Sequence, residues 1–367
     1  MPDLEASPLN REPDAKLLIS SFITVHPVEP YDRNHSCIPR DLDASTHHIH
    51  VDGLISKPVS LSISDLRDNF AQHEITSALQ CAGNRRHAMR MLLKEVQGID
   101  WGSGAVMNYV WRGPRVRDIL LHAGLRKEDR DVNVAFACNA VPCQDASWFG
   151  SSISLGRALR EDADVILALE MNGERLTQEH GFPVRALIPG VAGARSVKWL
   201  DHITVQHDMS SNHYMHFDYK ALPEQTVDSE SAKQFWRETP PVIDTPVNSV
   251  VVSPEDGSTV ETDPHGYVAM KGYAISGGDD GPIVKVEVST DGETWSEAQL
   301  LDHERDSKWT WKLWEARVKL GTGDNMALYS RATDKDGNTQ PRHSAWNLRG
   351  VCYNGYGEVR GLAVRQA

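Results

Sequence analysis

The chain has 367 residues and a formal net charge of −13, with 40% hydrophobic and 24% charged residues. This composition is typical of a globular enzyme large enough for two domains. The sequence has no apolar run of the roughly 20 residues that a membrane-spanning helix needs. The acidic balance disfavours a nucleic-acid partner, because phosphate binding requires a basic surface.

The first segment, residues 1 to 45, is polar and proline-rich, and little in it predicts a core. One stretch in it, LLISSFITV at 17 to 25, has the composition of a strand. From His47 to Val205, short β-branched runs are mixed with helical segments, which predicts an α+β domain. The predicted strands are HHIHVDGLI, AVMNYVW, DVNVAFA and HITVQ, and the predicted helices are ISDLRDNF, RVRDILLHAGL and ISLGRALRE.

The stretch from Asp208 to Pro246 carries four prolines among charged residues and predicts a connecting segment. After it, strand-like runs are broken at short intervals by Asp-Gly, Gly-Gly and Pro turn signals, which favours an immunoglobulin-like β-sandwich. These runs are VNSVVVSPEDG, GYVAMKGYAIS, IVKVEVSTDGETW, KWTWKLWEARV and MALYSRATDKDGN.

The two chain ends and the cysteines indicate the cellular compartment in which the protein is expected. The N-terminal MPDLEASPLN lacks the features of a secretory signal or an Arg-rich transit peptide, and the C-terminal VRQA is not a Ser-Lys-Leu address. The five cysteines form an odd set without a CxxC pair, which argues against a disulfide framework and a structural zinc site. We therefore expect an intracellular, cytoplasmic location and at least one free thiol.

The densest group of unusual residues is LQCAGNRRHAM at 79 to 89, where Cys81 precedes the paired Arg85 and Arg86. A thiol beside two guanidinium groups should have a lowered pKa and serve as a nucleophile or a soft-metal ligand. The alternative is a buried structural cysteine with surface arginines.

A second group is HGFPVRALIPGVAGARSVKWL at 180 to 200, in which cationic residues are interleaved with glycines. Glycines let the backbone approach a ligand, and Arg or Lys binds an anion such as phosphate, so the segment suits a phosphorylated cofactor. The alternative is a basic turn between strands. Two weaker groups are YDRNHSCIPR at 31 to 40 and AWNLRGV at 345 to 351, which alone read as a structural loop histidine and a surface arginine.

At LQCAGNRR the sequence resembles the eukaryotic sulfite oxidase and nitrate reductase family, and the other three segments match that family in the same order. The resemblance extends from Arg11 to Val351 and is strongest to the plant-type sulfite oxidases that lack a haem domain. It implies a molybdopterin-binding catalytic domain over 1–235, including the connector, and an immunoglobulin-like dimerisation domain over 236–367, hence a homodimer.

The resemblance also implies the site residues. Cys81 would be the protein ligand of molybdenum in a molybdopterin cofactor, with no haem in this chain. The implied cofactor contacts are Tyr31, Asn34, His35, Asp145, His180, Arg185, Ser196, Val197 and Lys198. The implied sulfite-binding pocket consists of Arg33, Arg86, Trp101, Tyr219 and Arg349, because several cations compensate a dianion and position it for reaction.

The activity so implied is oxidation of sulfite to sulfate by oxo transfer from Mo(VI), with two electrons passed to oxygen or to a separate carrier. Two alternatives remain open. A nitrate reductase module shares the cofactor and much of the pocket, but members of that class resemble WNxMG where this chain has Arg349, and the segment from Ser211 to Trp236 also resembles their connector. A non-catalytic binding module would keep a cofactor-sized pocket without turnover.

Overall fold

The structure, a computed structural model, describes residues 7–125 and 132–366. The strands in chain order are β1 (Asn10–Arg11), β2 (Asp32–Arg33), β3 (His48–Gly53), β4 (Val59–Ser62), β5 (Gln72–Gln80), β6 (Val106–Pro114), β7 (Asn133–Cys138), β8 (Phe149–Ser154), β9 (Ile166–Ala168), β10 (Glu170–Met171), β11 (Glu174–Arg175), β12 (Arg185–Leu187), β13 (His202–Gln206), β14 (Asn248–Ser253), β15 (Thr259–Thr262), β16 (Tyr267–Ile275), β17 (Ile283–Ser289), β18 (Ser296–Glu297), β19 (Gln299–Leu301), β20 (Lys312–Lys319), β21 (Gly323–Asp334) and β22 (Gly357–Gln366). The α-helices are α1 (Ala15–Leu18), α2 (Ile63–Asp68), α3 (Arg86–Leu92), α4 (Val116–His122), α5 (Leu155–Leu159), α6 (His213–His216) and α7 (Ser229–Ala232), and two 3-10 turns cover Glu161–Ala163 and Gly193–Arg195.

The first half of the chain is built on a five-stranded mixed sheet with the order β4-β3-β13-β7-β8. Its strands alternate buried apolar residues with more exposed ones, as in β7, where Val134 and Phe136 are fully buried. Helix α2 starts with a capping box between Ser62 and Asp65, and its Leu66 packs into the same core. The α+β prediction is confirmed, and so are the four predicted strands, although Asp131 of DVNVAFA lies outside the described residues.

A second sheet, with the order β11-β10-β6-β5, carries the segment that contains Cys81. The long β5–β6 ladder pairs Gln72 with Pro114 and Gln80 with Val106, so Cys81 follows directly on the last paired residue. Strand β5 was not predicted from the sequence, because its first three residues, QHE, are polar and only its second half is continuously buried.

The second half of the chain forms a β-sandwich of two sheets, with the orders β14-β16-β20-β19 and β15-β22-β21-β17-β18. The inner faces enclose a core that includes Met270, Trp314, Leu328 and Leu362. The immunoglobulin-like sandwich is therefore confirmed, and each of the five predicted runs contains a strand. Within the described ranges, no helix is long and apolar enough to cross a membrane.

The N-terminal segment differs from the sequence prediction. LLISSFITV is not a strand: it starts in helix α1, where the Asp14 carboxylate accepts a hydrogen bond from the backbone of Lys16, and continues in turns. Leu18 and Phe22 are buried against Tyr273 and Trp311 of the sandwich. Little in the sequence of this segment predicted a core, because its apolar residues pack against residues in a distant part of the chain.

The segment from Asp208 to Pro246 joins the two halves, but it is more than a connection. Tyr214, Tyr219 and Lys220 are buried, and the Lys220 ammonium donates a hydrogen bond to the Trp236 carbonyl. The proline signal indicated irregular backbone correctly, but it could not indicate that this backbone packs inside the protein.

Arg85 ties the two halves together across their interface. It stands in the left-handed region with φ +64°, which turns its side chain away from the sheet that holds Cys81. Its guanidinium is buried and donates hydrogen bonds to the Asn248 side-chain oxygen at 2.5 Å, the Gly355 carbonyl at 2.9 Å and the Tyr356 carbonyl at 2.7 Å. Arg85 is therefore a structural residue of the interface.

We expect Arg85→Met to lower the free energy of unfolding by about 3–5 kcal/mol, because three hydrogen bonds from a buried guanidinium are lost and Gln340 still donates to only two of the three acceptors. Urea unfolding followed by circular dichroism measures this loss. The control is Arg90→Met in helix α3, which follows Arg85. The Arg90 guanidinium pairs with the exposed Glu95 and Asp100, and its loss should cost less than about 1 kcal/mol. Equal losses in the two variants would contradict the interface role of Arg85.

Candidate active site

Cys81 lies at the end of β5, where the chain turns towards helix α3. Its backbone N–H donates to the Ala105 carbonyl at 2.9 Å, and its carbonyl accepts from Asn84 at 3.0 Å. The Gly83 N–H points at the Cys81 sulfur at 3.4 Å. The side chain is only 4% exposed, so the sulfur is held in a fixed place at the wall of a cavity.

The two arginines after Cys81 separate. Arg85 faces the sandwich, and only Arg86 stays close enough to act on the thiol. The sequence prediction of a lowered pKa was wrong, since burial raises the pKa of the Cys81 thiol and outweighs the opposing effect of Arg86. All five cysteines fall within the described ranges, and no disulfide links any two of them.

Cys81 borders a cavity between the two sheets of the first half and the N-terminal segment. Most of the residues that line it come from three places in the sequence: the 31–36 segment, the end of β5 and the 180–199 segment. They are Tyr31, Asp32, Arg33, Asn34, His35, Ser36, Leu79, Cys81, Met107, Cys138, Phe149, His180, Arg185, Gly193, Ala194, Ser196, Lys198, Trp199 and Tyr219. The cavity thus brings together segments that the sequence singled out independently.

The 180–199 segment supplies the cationic wall of the cavity. Arg185 donates to the carbonyls of His180 and Ser196, both at 3.1 Å, which fixes the loop around it. Lys198 donates to the Asp32 carboxylate at 3.2 Å and to the Glu179 carbonyl at 2.8 Å. Burial lowers the pKa of Arg185 to about 10 and that of Lys198 to about 8, so both cations would gain from a bound anion.

Several buried polar atoms around the cavity have no hydrogen-bond partner among the described residues. They are Asn34 Oδ1, His180 Nε2, Arg185 Nε, Trp101 Nε1 and Arg349 Nε. Buried polar groups are normally satisfied, so a cluster of unsatisfied ones indicates a polar ligand. The 3-10 turn at Gly193 also needs a glycine, because an added Cβ would lie 2.4 Å from the Tyr31 hydroxyl. A thiol, two buried cations and free donors fit a phosphorylated cofactor that binds a soft metal.

The predicted anion-binding arginines meet in one network next to the cavity, in which Arg33 and Tyr219 line the cavity and Arg86 and Arg349 do not. Arg33 Nη2 lies 3.1 Å from His35 Nδ1, and His35 Nε2 lies 2.7 Å from the Tyr219 hydroxyl. Arg349 donates to the Asp218 carboxylate at 2.6 Å, and Asp218 accepts from the Tyr219 N–H at 2.8 Å.

Arg86 joins this network through the backbone at Arg349. Its Nε donates to the Arg349 carbonyl at 3.0 Å, and its Nη1 donates to the Ile99 carbonyl at 2.7 Å. Gly83 and Gly98 leave the room that this guanidinium occupies, since a Cβ at either position would lie within 3 Å of it. The network therefore unites Arg33, Arg86 and Arg349, which are far apart in the sequence.

Some predicted residues do not line the cavity. Asp145 is exposed, and its N–H donates to the Tyr214 hydroxyl at 3.2 Å. Val197 packs into the core of the first half, and its carbonyl accepts from the Ala186 N–H at 2.9 Å. Trp101 is buried in one cluster with Cys81 and Tyr31. Cofactor contacts of Asp145 and Val197 stay predictions.

Two charged residues near the cavity were missed from the sequence, Asp32 and Asp218, whereas Arg195 belongs to the cationic segment at 180 to 200 that the sequence singled out. Asp32 and Asp218 are buried partners of cations, and Arg195 is 1% exposed with its guanidinium 5.7 Å from the Tyr219 ring. The sequence could have indicated the two aspartates only by their position, because Asp32 directly precedes Arg33 and Asp218 directly precedes Tyr219.

Comparisons with known proteins identify the class of protein to which the two halves of the chain belong. A family model described as the oxidoreductase molybdopterin binding domain matches residues 35–214, and one described as the Mo-co oxidoreductase dimerisation domain matches residues 239–361. A crystal structure of the sulfane dehydrogenase SoxCD from Paracoccus pantotrophus has the same fold, with a TM-score of 0.76 at 23% identity over 98% of this chain and 89% of that one. Fold and site define a molybdopterin oxidoreductase with a dimerisation domain.

The relatives narrow this class. Sulfite oxidase of Arabidopsis thaliana is 38% identical over 94% of this chain and 89% of its own length. Mitochondrial sulfite oxidase of Homo sapiens is 40% identical, and this chain spans 64% of the length of that protein. Nitrate reductase [NADH] 1 of Oryza sativa subsp. japonica is 38% identical over 40% of its length. The chain belongs to the sulfite oxidase family.

Proposed function

We propose that this chain is a molybdenum-dependent sulfite oxidase that converts sulfite to sulfate. The observation that carries the proposal is that the buried Cys81 thiol borders a cavity that is also lined by the cations Arg33, Arg185 and Lys198. One side suits a phosphate and the other suits a small oxyanion, and the sulfur between them is a donor that a soft metal prefers. The name of the Arabidopsis relative supports the same substrate.

Cofactor binding would use the first group of residues. Arg185 and Lys198 would bind the phosphate, His180 Nε2 and Asn34 Oδ1 would gain their missing partners, and Cys81 would be the metal ligand. When bound, the molybdenum cofactor supplies oxygen-atom transfer and takes up two electrons. The protein contributes orientation and charge, since each of these side chains is held by other contacts before a ligand arrives.

Sulfite binding would use the arginine network. Arg33, Arg86 and Arg349 supply positive charge in an acidic protein, so a dianion would be attracted to this point of the surface. Because a guanidinium has only donors, Arg33 donates to His35 Nδ1, and His35 then carries its proton on Nε2 and donates to Tyr219. The Tyr219 O–H is left free to donate to the substrate. Burial lowers the pKa of His35 to about 3, which keeps this arrangement at neutral pH.

Arg349 favours sulfite over nitrate as the substrate. A dianion needs more compensating charge than a monoanion, and Arg349 adds a guanidinium whose Nε has no partner within the described ranges. Arg349 Nη2 donates to the Asp218 carboxylate, so this side chain is oriented before any substrate binds. A nitrate-reducing site remains the competing proposal.

The domain organisation forms part of the proposal. We place the boundary between residues 235 and 236, with the cofactor-binding domain before it and the dimerisation domain after it. The separate cores of the two halves and the match of the dimerisation model to residues 239–361 support this division and a homodimer. We further propose that the chain works without a haem of its own and passes electrons to oxygen or to a separate carrier.

The test combines metal analysis with activity. Purified protein should contain about one molybdenum and one pterin per chain, and sulfite should be turned over with oxygen, ferricyanide or cytochrome c as acceptor. Nitrate reduction with a reduced dye is assayed on the same preparation. Faster nitrate than sulfite turnover would favour the nitrate reductase proposal, and protein without molybdenum and pterin would leave the non-catalytic binding module.

A further inference from the structure

Residues 9–12, here called the N-terminal clamp, lie against the outer side of the segment that lines the cavity. Strand β1 of the clamp pairs with β2, so Asn10 is opposite Arg33 and Arg11 is opposite Asp32. The Asn34 side chain donates to the Leu9 carbonyl at 2.8 Å, and Asn10 Oδ1 accepts from the Asn34 N–H at 3.2 Å. The clamp thus holds residues 32–34, which line the cavity, through both backbone and side chains.

The clamp is itself anchored beyond that segment. The Glu12 carboxylate accepts hydrogen bonds from the backbone N–H groups of Gly102 and Gly104 at 2.8 and 2.7 Å. Because these glycines follow the buried Trp101, the clamp connects two loops beside Cys81. Its position is therefore determined by contacts on both sides.

Arg11 is the most connected residue of the clamp. Its guanidinium forms ion pairs with Asp32 at 2.6 Å, Glu179 at 3.0 Å and Glu29 at 3.0 Å. Asp32 is 1% exposed and also binds Lys198, and Glu179 directly precedes His180. Arg11 is therefore connected through Asp32 to Lys198 and through Glu179 to His180, both of which line the cavity.

Asp32, Glu179 and His180 have ligand atoms within 4.8 Å of one another, which by distance alone would suit a metal ion. Arg11 and Lys198 already occupy the two carboxylates, and a cation placed between them would be repelled. The group is better explained as an ion-pair network that orients the surrounding side chains.

We propose that Arg11 is a positioning residue of the cofactor site, which through Asp32 and Glu179 holds Lys198 and His180 in place for the cofactor phosphate. The inference rests on the proposed function and extends the site to an N-terminal segment in which little of the sequence predicted a core. Without Arg11, the buried Asp32 carboxylate has Lys198 as its remaining close cation, so Lys198 is drawn to Asp32 and is less available to a phosphate. The turn that contains Glu179 and His180 also loses the ion pair between Glu179 and Arg11 of strand β1.

The test measures how long the purified holoenzyme retains its pterin. Arg11→Gln protein is diluted and incubated, and released pterin is quantified by fluorescence after oxidation. We expect release about tenfold faster than from the unmodified chain. Arg11→Lys, which keeps one charge but not the forked geometry, should fall between the two. The matched control is Arg117→Gln, since Arg117 is 26% exposed against 27% for Arg11 and pairs with the two carboxylates of Asp118 and Glu161, away from the cavity.

The outcomes separate the two proposals. If the unmodified protein holds no pterin, the proposed function fails, and this inference fails with it. If it holds pterin and Arg11→Gln releases it no faster than Arg117→Gln, the role of Arg11 alone is refuted. Should Arg11→Gln not fold, Glu179→Gln replaces it, because Glu179 is 39% exposed and its loss leaves Asp32 paired. Faster release from that variant supports the inference, and unchanged release overturns it.

Discussion

Cys81→Ser should lose sulfite oxidation by more than about a hundredfold while the protein stays folded. Even the loss of a residue that only supports a metal ligand typically costs about 10- to 100-fold, and here the ligand itself is changed. A serine hydroxyl is a hard donor that remains protonated, so it is a poor substitute for a thiolate on a soft metal. Molybdenum content, turnover and the thermal unfolding midpoint are measured on the same preparation.

The control for this variant is Cys143→Ser, which changes a half-buried thiol that is not among the cavity-lining residues. It should keep its molybdenum and its turnover. Retained sulfite oxidation in Cys81→Ser would refute the assignment of Cys81 as the metal ligand, whereas unfolding of that variant would show a structural role for the thiol.

Arg349→Met should raise the KM for sulfite by about tenfold or more, with a smaller change in kcat. A charge-assisted hydrogen bond contributes about 1.5–3 kcal/mol, and each 1.4 kcal/mol corresponds to a tenfold change in affinity. The substitution also leaves the Asp218 carboxylate, which is 11% exposed, without its 2.6 Å ion pair. That uncompensated charge would repel a dianion. Steady-state kinetics with sulfite measures both constants.

Two further variants separate the contributions of charge and structure. The double variant Arg349→Met/Asp218→Asn also removes the carboxylate that Arg349→Met leaves without its ion pair. If that carboxylate repels sulfite, the double variant should have a lower KM than Arg349→Met alone. Arg342→Met, an exposed arginine on the same loop, should leave KM unchanged. An unaltered KM in Arg349→Met would mean that Arg349 serves the structure alone, and it would remove the main argument against nitrate.

The elements that the sequence predicted well are those with a local signal. Strands β3, β7 and β13 alternate large buried apolar residues with small or polar residues that are more exposed, and helix α2 starts with a capping box. Each of these elements can therefore be recognised within a few residues. Strand β5 was not predicted, and the run at 17 to 25 was wrongly predicted as a strand, because the burial of both depends on residues in other parts of the chain. Phe22, for example, packs with Trp311.

The amino-acid sequence alone determined which residues have the chemistry for the site: a thiol before two arginines, a glycine-rich cationic segment and two further arginine motifs. Tertiary structure alone decided how they act. It turned Arg85 away from Cys81 and Arg86 towards it, raised the thiol pKa by burial, and joined Arg11 to Asp32 and Arg349 to Asp218. The physical reason is that residue type is a local property, whereas burial and ion pairing depend on contacts between segments that are distant in the chain.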